Sequence, residues 1–299
     1  MEIEKIQGMN TAVVTPMFDD GSVNYDEIDH YAEFVIAQGL SGVFVCGSSG
    51  ESLLLSTEER KQIVRRWMRY ADRLNILVHV GHTSYVEACE LARDAGKLGV
   101  RAISAMGPCF MQPQTLDDLI GFNAKIAAAA PDTPFYYYHI PGRVGVDFDM
   151  TRFLAEGAER IPNLSGLKFT SQDTYTEFKC IRLQDGRFDI LHGHDETFLL
   201  GLTMGARSCI GTSLNVNGPA FTRIAAAFRD GDLERAAELQ ARANEVVDLM
   251  CRYNVIATIK EMLSLAGIKA GPARLPNGTL TPAQKADVKA RFFELFPAS

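Results

Sequence analysis

Apolar runs of strand length alternate with stretches of helical periodicity along roughly the first 210 residues of the chain. Eight of the runs are predicted as strands: TAVVTP (11–16), GVFVCG (42–47), ILVHVG (76–81), RAISAMG (101–107), PFYYYHI (134–140), LSGLKFT (164–170), FDILHG (188–193) and ARSCIG (206–211). Their nearly continuous apolar character is typical of parallel strands that are buried on both faces. The alternation therefore predicts an α/β fold with a parallel sheet.

Helix starts can be identified between the strands. Ser56-Thr57-Glu58-Glu59 and Ser84-Tyr85-Val86-Glu87 both fit the capping box, in which a hydroxyl residue precedes a glutamate by three positions. Eight alternations without a break in composition favour a closed (β/α)8 barrel, the TIM barrel, over an open doubly wound sheet. The open sheet stays possible at this point, because periodicity does not report closure.

From about residue 217 the pattern is entirely helical. AFTRIAAAFRDG, DLERAAELQARANEVVDLMCRY and NVIATIKEMLSLAGI exceed what a last barrel helix needs, and the turn-rich GPARLPNGTLTP leads into a final helix. We predict one domain over residues 1–299. Its barrel core spans about 8–216, and about 217–299 hold the last barrel helix and a C-terminal helical extension.

Composition narrows the class of protein. The 299 residues suffice for two domains or for one barrel, which typically takes about 250 residues. A net charge of −7 argues against a nucleic-acid partner, which would favour a basic face. MEIEKIQGMN is too polar for a signal peptide, and no apolar run approaches the ~20 residues of a membrane span. Six scattered cysteines without a CxxC pair complete the expectation of a reduced, cytoplasmic protein without membrane contact.

Polar or glycine-rich sequence follows five of the predicted strands. In barrels of this kind the active site lies at the carboxyl ends of the strands, so these segments should converge. They are GSSGES after the second strand, the IPGR segment after the fifth, Lys168 and Thr170 in the sixth, GHDE after the seventh and GTS after the eighth.

Lys168 stands inside the apolar run LSGLKFT, although lysine is among the residues least often buried without a partner. An apolar pocket disfavours the ammonium and leaves a nucleophilic amine, which is what a Schiff-base lysine requires. A lysine that is paired with a carboxylate, or that extends its ammonium to the strand end, explains the same pattern. The residues alone leave these alternatives open.

The other segments also allow two interpretations each. GSSGES can bind a carboxylate through hydroxyls and backbone N–H groups, or it can be a tight strand-to-helix loop; without a GK[ST] ending it is no nucleotide loop. Tyr138 can relay protons or pack in the core. Asp195 and Glu196 can begin a helix or bind a polyhydroxylated ligand. His79 and His82 have no companion ligand at metal spacing, so we expect no metal.

Taken together, four motifs resemble the N-acetylneuraminate lyase / dihydrodipicolinate synthase superfamily. They are Gly47-Ser48-Ser49-Gly50-Glu51, Tyr138-His139-Ile140-Pro141, Gly166-Leu167-Lys168 and Gly193-His194-Asp195-Glu196. The resemblance is collinear from about residue 8 to the end of the barrel. It implies a pyruvate-handling class I aldolase on a (β/α)8 barrel, a homotetramer, and no cofactor beyond the imine on Lys168.

Within the superfamily, PFYYYHIP, GLKF, GHDE and GPARLP are most similar to the sialic acid lyase branch, particularly its animal-type members. That similarity implies cleavage of a 2-oxo-3-deoxy sugar acid to pyruvate and a sugar-like aldehyde. By motif, Lys168 would form the imine and Tyr138 would shuttle protons, while Ser48 and Ser49 would bind the carboxylate. The sugar-like chain would be lined by Thr170, Gly193, Asp195, Glu196 and Thr212.

Two residues depart from that branch. Arg143 resembles the dihydrodipicolinate synthase branch, where an arginine receives a substrate carboxylate, although an internal salt bridge would also explain it. Phe110 stands where many members have a tyrosine that reaches a neighbouring active site. Condensation of pyruvate with aspartate semialdehyde and dehydration of a sugar acid therefore remain alternatives on the same imine. A non-catalytic ligand-binding protein is the alternative from another class.

Overall fold

Eight parallel strands hydrogen-bond in chain order, and β8 pairs with β1 to close a barrel. The computed structural model describes residues 3–297. The strands are β1 Gly8–Ala12, β2 Gly42–Val45, β3 Asn75–His79, β4 Ala102–Met106, β5 Phe135–His139, β6 Leu164–Phe169, β7 Asp189–His192 and β8 Ser208–Gly211. Closure decides between the two sheets that the sequence allowed, and the predicted TIM barrel is confirmed.

Helices connect the strands and continue beyond the last one. They are α1 Glu27–Ala37, α2 Thr57–Trp67, α3 Tyr85–Lys97, α4 Leu116–Ala128, α5 Pro141–Val144, α6 Met150–Gly157, α7 Thr174–Gly186, α8 Phe198–Met204, α9 Leu214–Arg229, α10 Leu233–Arg252, α11 Val255–Leu265 and α12 Pro282–Leu295. The backbone of α7 is non-helical at 183–185, and Asn217 interrupts α9 just before Pro219. Among the described helices, none combines the length and the apolar character that a membrane crossing requires.

The first predicted strand, 11–16, is wrong in its position. The barrel strand is Gly8–Ala12, and the apolar residues after it have left the ladder. The Val14 N–H donates to the hydroxyl of Tyr31, and Thr15 Oγ1 donates to the carbonyl of Gly50. Buried loop residues can be as β-rich in composition as a strand, so composition extended the prediction too far.

The two predicted capping boxes differ in outcome. At α2 both halves exist, because Ser56 accepts from the Glu59 N–H and the Glu59 carboxylate accepts from the Ser56 N–H. At α3 Ser84 accepts from the Glu87 N–H, but the Glu87 carboxylate accepts instead from Thr57 Oγ1, at 2.5 Å. The Glu87 side chain thus binds a residue of the neighbouring helix α2 instead of the backbone of its own helix cap.

The C-terminal helices form the extension that the sequence predicted, and they pack against the barrel. Helix α10 lies on α9 and on a short 3-10 turn, Asp195–Thr197, that follows β7. Gln240 donates to the carbonyl of Asp195, and Asn244 donates to the carbonyl of Glu196. The extension therefore holds the loop that carries the predicted acid pair.

Gly166 lies where two strands come unusually close. It pairs with Tyr136 on β5 and Asp189 on β7, and a Cβ atom at this position would lie 1.7 Å from the Asp189 carbonyl oxygen. That oxygen belongs to the backbone of a paired strand and cannot rotate away. Only glycine fits here without moving β6, the strand that carries Lys168.

We expect Gly166→Ala to lower the free energy of unfolding by roughly 1–3 kcal/mol or more, since overpacking of a core costs that much. Denaturant titration of the purified variant would measure the change. Gly278→Ala is the matched control, because nothing lies within 4 Å of a Cβ atom at that position. Equal unfolding midpoints for the two variants would show that β6 adjusts freely.

Candidate active site

A cavity of about 1010 Å³ lies at the carboxyl ends of the strands. Its wall includes all ten residues that the sequence singled out, which are Ser48, Ser49, Tyr138, Arg143, Lys168, Thr170, Gly193, Asp195, Glu196 and Thr212. They come from five strand ends and the loops after them, because parallel strands of a closed barrel end at one common rim.

Lys168 is buried, at 4% exposure, near the end of β6. Its Nζ lies 4.0 Å from the centre of the Tyr138 ring and 4.3 Å from the centre of the Phe44 ring. No described carboxylate forms an ion pair with it. The alternative of a lysine paired with a carboxylate is therefore wrong, and the amine faces two aromatic rings and the cavity.

Tyr138 is the residue of β5 directly opposite Lys168 in the strand register. Its ring meets Phe44 edge to face, with the centroids 5.5 Å apart. Its hydroxyl lies 3.3 Å from Ser48 Oγ. The rings of Tyr137 and Tyr138 lie on opposite faces of the strand, as its period of two requires: Tyr137 packs on Phe153, while Tyr138 lines the cavity. The phenol ring thus adjoins the amine, and its hydroxyl contacts Ser48.

The backbone has a positive φ just before the GSSGES turn and again near its end. Cys46 has φ 55° and Glu51 has φ 60°, both in the left-handed region that side chains other than glycine rarely adopt. Between them, Ser48 is exposed to the cavity and Ser49 is buried. Ser49 Oγ lies 2.7 Å from Thr212 Oγ1, which joins the ends of β2 and β8. The turn thus carries two hydroxyl residues on the wall of the cavity that Lys168 also lines.

Thr170 and Gly193 lie side by side just beyond β6 and β7. Thr170 Oγ1 is buried and has no hydrogen-bond partner among the described residues, although the residue lines the cavity. A Cβ atom at position 193 would lie 2.0 Å from that oxygen, so glycine leaves the room that the hydroxyl occupies. An unsatisfied buried hydroxyl at a cavity wall is suited to bind a polar ligand.

Asp195 is buried and already used by the protein. Its Oδ2 accepts from the Ser213 N–H at 2.6 Å, at the start of α9. Burial raises the pKa of this carboxyl, and the bond from Ser213 opposes that shift. Asp195 and Glu196 also lie in the first turn of the 3-10 segment Asp195–Thr197 that leads into α8, as the helix-start interpretation predicted.

Glu196 forms a pair with His194, whose Nδ1 lies 2.9 Å from Glu196 Oε1. The hydrogen bond to Glu196 raises the pKa of His194 above its ordinary value of 6.5, against the effect of burial. Burial is the largest single influence and acts to raise the pKa of Glu196, but the bond from His194, the residue's own backbone N–H and the nearby histidines together outweigh it, and the pKa falls below its ordinary value of 4.5. Glu196 is thus a carboxylate acceptor at the cavity wall.

Arg143 lies in the short helix α5, where its exposed side chain lines the cavity. It forms no ion pair with a described carboxylate, so an internal salt bridge does not explain it. Phe110 is 88% exposed and is not among the lining residues. The arginine belongs to the site by position, and the phenylalanine lies outside it.

The histidines that suggested a metal have other contacts. Burial lowers the pKa of His79 well below its ordinary value, and its Nδ1 donates to the Cys46 carbonyl at 3.0 Å. His82 Nδ1 accepts from the Ser84 N–H. Between residues 3 and 297, no group of three or more His, Cys, Asp or Glu side chains is arranged to hold a metal ion.

The chain is similar throughout to known proteins. The model of the dihydrodipicolinate synthetase family matches residues 5–293. The chain belongs to that family. N-acetylneuraminate lyase of Gallus gallus is 36% identical over 279 residues, which cover 91% of each chain. The predicted membership, and with it the prediction of a lyase-type enzyme, is confirmed.

Two solved structures superimpose on almost the whole chain. N-acetylneuraminate lyase from Proteus mirabilis matches with a TM-score of 0.95 and 38% identity, covering 98% of this chain and 99% of that one. N-acetylneuraminate lyase (sialic acid aldolase) from Aliivibrio salmonicida matches with a TM-score of 0.96 and 39% identity, covering 99% of both. The extension as well as the barrel is thus shared with these proteins.

Sequence reasoning missed the wall that the extension contributes. Val247, Met250, Cys251, Val255 and Ile256, at the junction of α10 and α11, line the cavity. It also missed the partners of Glu51, which come from α11 and from GPARLPN. The signal available was Lys260, a lysine within the apolar pattern of NVIATIKEMLSLAGI.

We expect the His194–Glu196 pair to stabilise the fold in a window of pH. The raised pKa of His194 gives stability that is complete below 6.5 and is lost as pH rises through the folded-state pKa. The lowered pKa of Glu196 gives stability that is present above 4.5 and is lost as pH falls through its folded-state pKa. Both contributions are present between these two values.

Thermal unfolding of the wild type and of His194→Asn should therefore differ more in Tm at pH 5.5 than at pH 8.5. His30→Asn is the control, because that side chain is 79% exposed and should matter little at either pH. A Tm difference for His194→Asn that stays constant between the two pH values would contradict the pairing.

Proposed function

We propose that this protein is a Schiff-base class I aldolase that cleaves a 2-oxo-3-deoxy sugar acid, N-acetylneuraminate, to pyruvate and an aldehyde. One observation carries the proposal: the Lys168 amine is buried at the cavity, faces Phe44 and Tyr138, and has no described carboxylate as an ion-pair partner. An amine that no carboxylate holds is free to reach the carbonyl carbon of a bound 2-oxo acid, which is what imine formation requires. The N-acetylneuraminate lyases that resemble the chain supply the substrate.

Binding begins at the turn with the two serines. The carboxylate of the 2-oxo acid accepts hydrogen bonds from the hydroxyls and backbone N–H groups of Ser48 and Ser49, as anions do in backbone nests. Because these residues adjoin Tyr138 and Thr212, the keto carbon comes to lie beside the amine. Holding the two reacting atoms together removes the entropic cost of their encounter.

The amine of Lys168 then attacks the keto carbon to give a carbinolamine. Loss of water from that intermediate forms the iminium, whose positive nitrogen can accept an electron pair. No metal or cofactor is part of this scheme, because the iminium itself is the electron sink. The reaction thereby splits one difficult step into easier ones.

Cleavage follows when the C4 hydroxyl gives its proton to the Tyr138 oxygen while the Tyr138 phenol passes its own proton to the substrate carboxylate through Ser48, whose Oγ lies 3.3 Å away. The C3–C4 bond breaks, its electron pair moves into the iminium to form an enamine, and the C4 oxygen becomes the carbonyl of the departing aldehyde. Protonation of the enamine at C3 and hydrolysis of the resulting iminium release pyruvate and free Lys168.

A hydroxyl-rich chain fits the far side of the cavity. Thr170 Oγ1 lacks a described partner, and Glu196 is an acceptor with a lowered pKa. Gly193, Asp195 and Thr212 line the same wall. Alternating donors and acceptors of this kind match hydroxyl groups, which both donate and accept.

Arg143 favours a second candidate, the condensation of pyruvate with aspartate semialdehyde. Its exposed guanidinium lines the cavity and has no described carboxylate partner. A guanidinium of this kind is suited to bind a substrate carboxylate through two parallel hydrogen bonds. The acid Glu196 on the same cavity argues for the hydroxylated substrate instead.

A cytoplasmic homotetramer completes the proposal. All six cysteines are free thiols, which suits a reducing compartment. Phe110 and Met111 are 88% and 77% exposed, and side chains of this size at adjacent positions suit burial against another copy of the chain. The tetramer itself follows from the family resemblance.

The purified protein should release pyruvate from N-acetylneuraminate, and Lys168→Ala should abolish the release. Pyruvate with borohydride should leave a reduced adduct on the Lys168 peptide of the wild type, found by mass spectrometry. An adduct on another lysine, or on none, would refute the imine. If pyruvate forms the adduct on Lys168 but is not released from N-acetylneuraminate, the imine chemistry stands and the sugar acid is not the substrate. Acidic aldehydes, bound by Arg143, would then be tested as substrates.

Tyr138→Phe should lower kcat by the roughly 10²–10⁴-fold that a positioned acid–base group contributes. The ring stays, so the edge-to-face contact with Phe44 and the unfolding midpoint should be preserved. Steady-state kinetics with N-acetylneuraminate would measure the loss, and circular dichroism would check the fold. A wild-type kcat would remove the phenol from the proton transfers.

A further inference from the structure

Glu51 is the fifth residue of the GSSGES turn, and its side chain is fully buried. Its backbone is left-handed, at φ 60°, and so is that of Cys46, the residue just before the turn, at φ 55°. Such conformations persist in non-glycine residues only where surrounding contacts impose them. Ser48 and Ser49 lie between these two residues, so their orientation depends on what holds each end.

The contacts at the Glu51 end come from the C-terminal extension. Lys260 Nζ, in α11, lies 2.6 Å from Glu51 Oε1. Oε2 accepts from the Arg274 N–H at 2.7 Å and from Asn277 Nδ2 at 2.9 Å. One carboxylate thus connects the serine turn to a helix and to the loop after it.

The ammonium of Lys260 has two contacts, one with Glu51 and one with a backbone carbonyl. The residue is 1% exposed, and its Nζ also donates to the Pro272 carbonyl at 2.8 Å. Burial lowers the pKa of this ammonium, and Glu51 acts against that shift. A buried ion pair is weak support for stability, because desolvation of both charges offsets their attraction. The pair is better explained by the geometry that it fixes.

We propose that Lys260 is a positioning residue that fixes the serine turn for the carboxylate of the 2-oxo acid through Glu51. The inference rests on the proposed function, since it takes this turn as the carboxylate site. Lys260 is not among the residues that line the cavity, so it acts through Glu51. Loss of the pair should therefore weaken the binding of pyruvate more than it slows the reaction of bound pyruvate.

The test uses pyruvate alone, so that it does not depend on the sugar. Borohydride trapping on Lys168 is measured over a range of pyruvate concentrations, which yields a half-saturating concentration and a maximal trapping rate. Lys260→Met should raise the half-saturating concentration about tenfold or more, with a maximal rate within about twofold of the wild type. Lys260→Arg keeps the charge and should restore part of the affinity.

Removing one charge of a buried pair leaves the other uncompensated, so Lys260→Met can fail to fold. The double variant Lys260→Met/Glu51→Gln removes both charges and keeps an amide oxygen for the Arg274 N–H. It should unfold at a higher temperature than Lys260→Met while its half-saturating pyruvate concentration stays raised. Lys285→Met is the control, because it breaks an extension ion pair, 3.3 Å from Glu261, in which Lys285 is 55% exposed; it should bind pyruvate as the wild type does.

The outcomes separate the two claims. Absence of any Lys168 adduct in the wild type contradicts the proposed function. The wild type can form the adduct while Lys260→Met, or the double variant, folds stably and keeps the wild-type half-saturating pyruvate concentration. That result overturns the positioning role and leaves the proposed function standing. A maximal rate that falls while half-saturation is unchanged also overturns it, since that places Lys260 in the chemistry and not in the turn.

Discussion

The site depends on keeping the Lys168 amine out of water and away from a counter-charge. Two aromatic rings, those of Phe44 and Tyr138, have their centres within 4.3 Å of the nitrogen, in place of a carboxylate. A carboxylate at the same place would form an ion pair with the side chain and compete with a substrate carbonyl for the nitrogen. The arrangement of acids around the barrel is therefore as important as the lysine.

The five acids that the structure buries each have a partner of their own. Asp195 accepts from Ser213, Glu177 pairs with His192 at 2.8 Å, and Glu51 pairs with Lys260. Asp189 accepts from the Tyr136 hydroxyl and the Ile6 N–H, and Glu27 accepts from the Lys269 N–H. These contacts satisfy charges that would otherwise be costly to bury, and they leave none of the five paired with Lys168.

The C-terminal extension holds both halves of the cavity. Through Gln240 and Asn244 it binds the backbone of the acid pair, and through Lys260, Arg274 and Asn277 it binds the end of the serine turn. Its apolar residues also form part of the cavity wall. A barrel places functional groups on loops, and loops need rigid neighbours to keep sub-ångström geometry; here the extension supplies them.

The sequence by itself determined the alternation of strands and helices and the strand ends that carry polar residues, because parallel strands are apolar on both faces and a polar residue at their ends stands out. Lys168 is the plainest case. The alternation favoured the barrel without deciding closure, and the family resemblance supplied the ten candidate residues. Only the tertiary structure decided the rest. It showed that Arg143 faces the cavity with no carboxylate partner among residues 3–297, that the Glu87 carboxylate accepts from Thr57, and that the Glu51 carboxylate accepts from Arg274, 223 residues away. Local pattern records which residues are buried, whereas a pairing between distant segments exists only once the chain has closed.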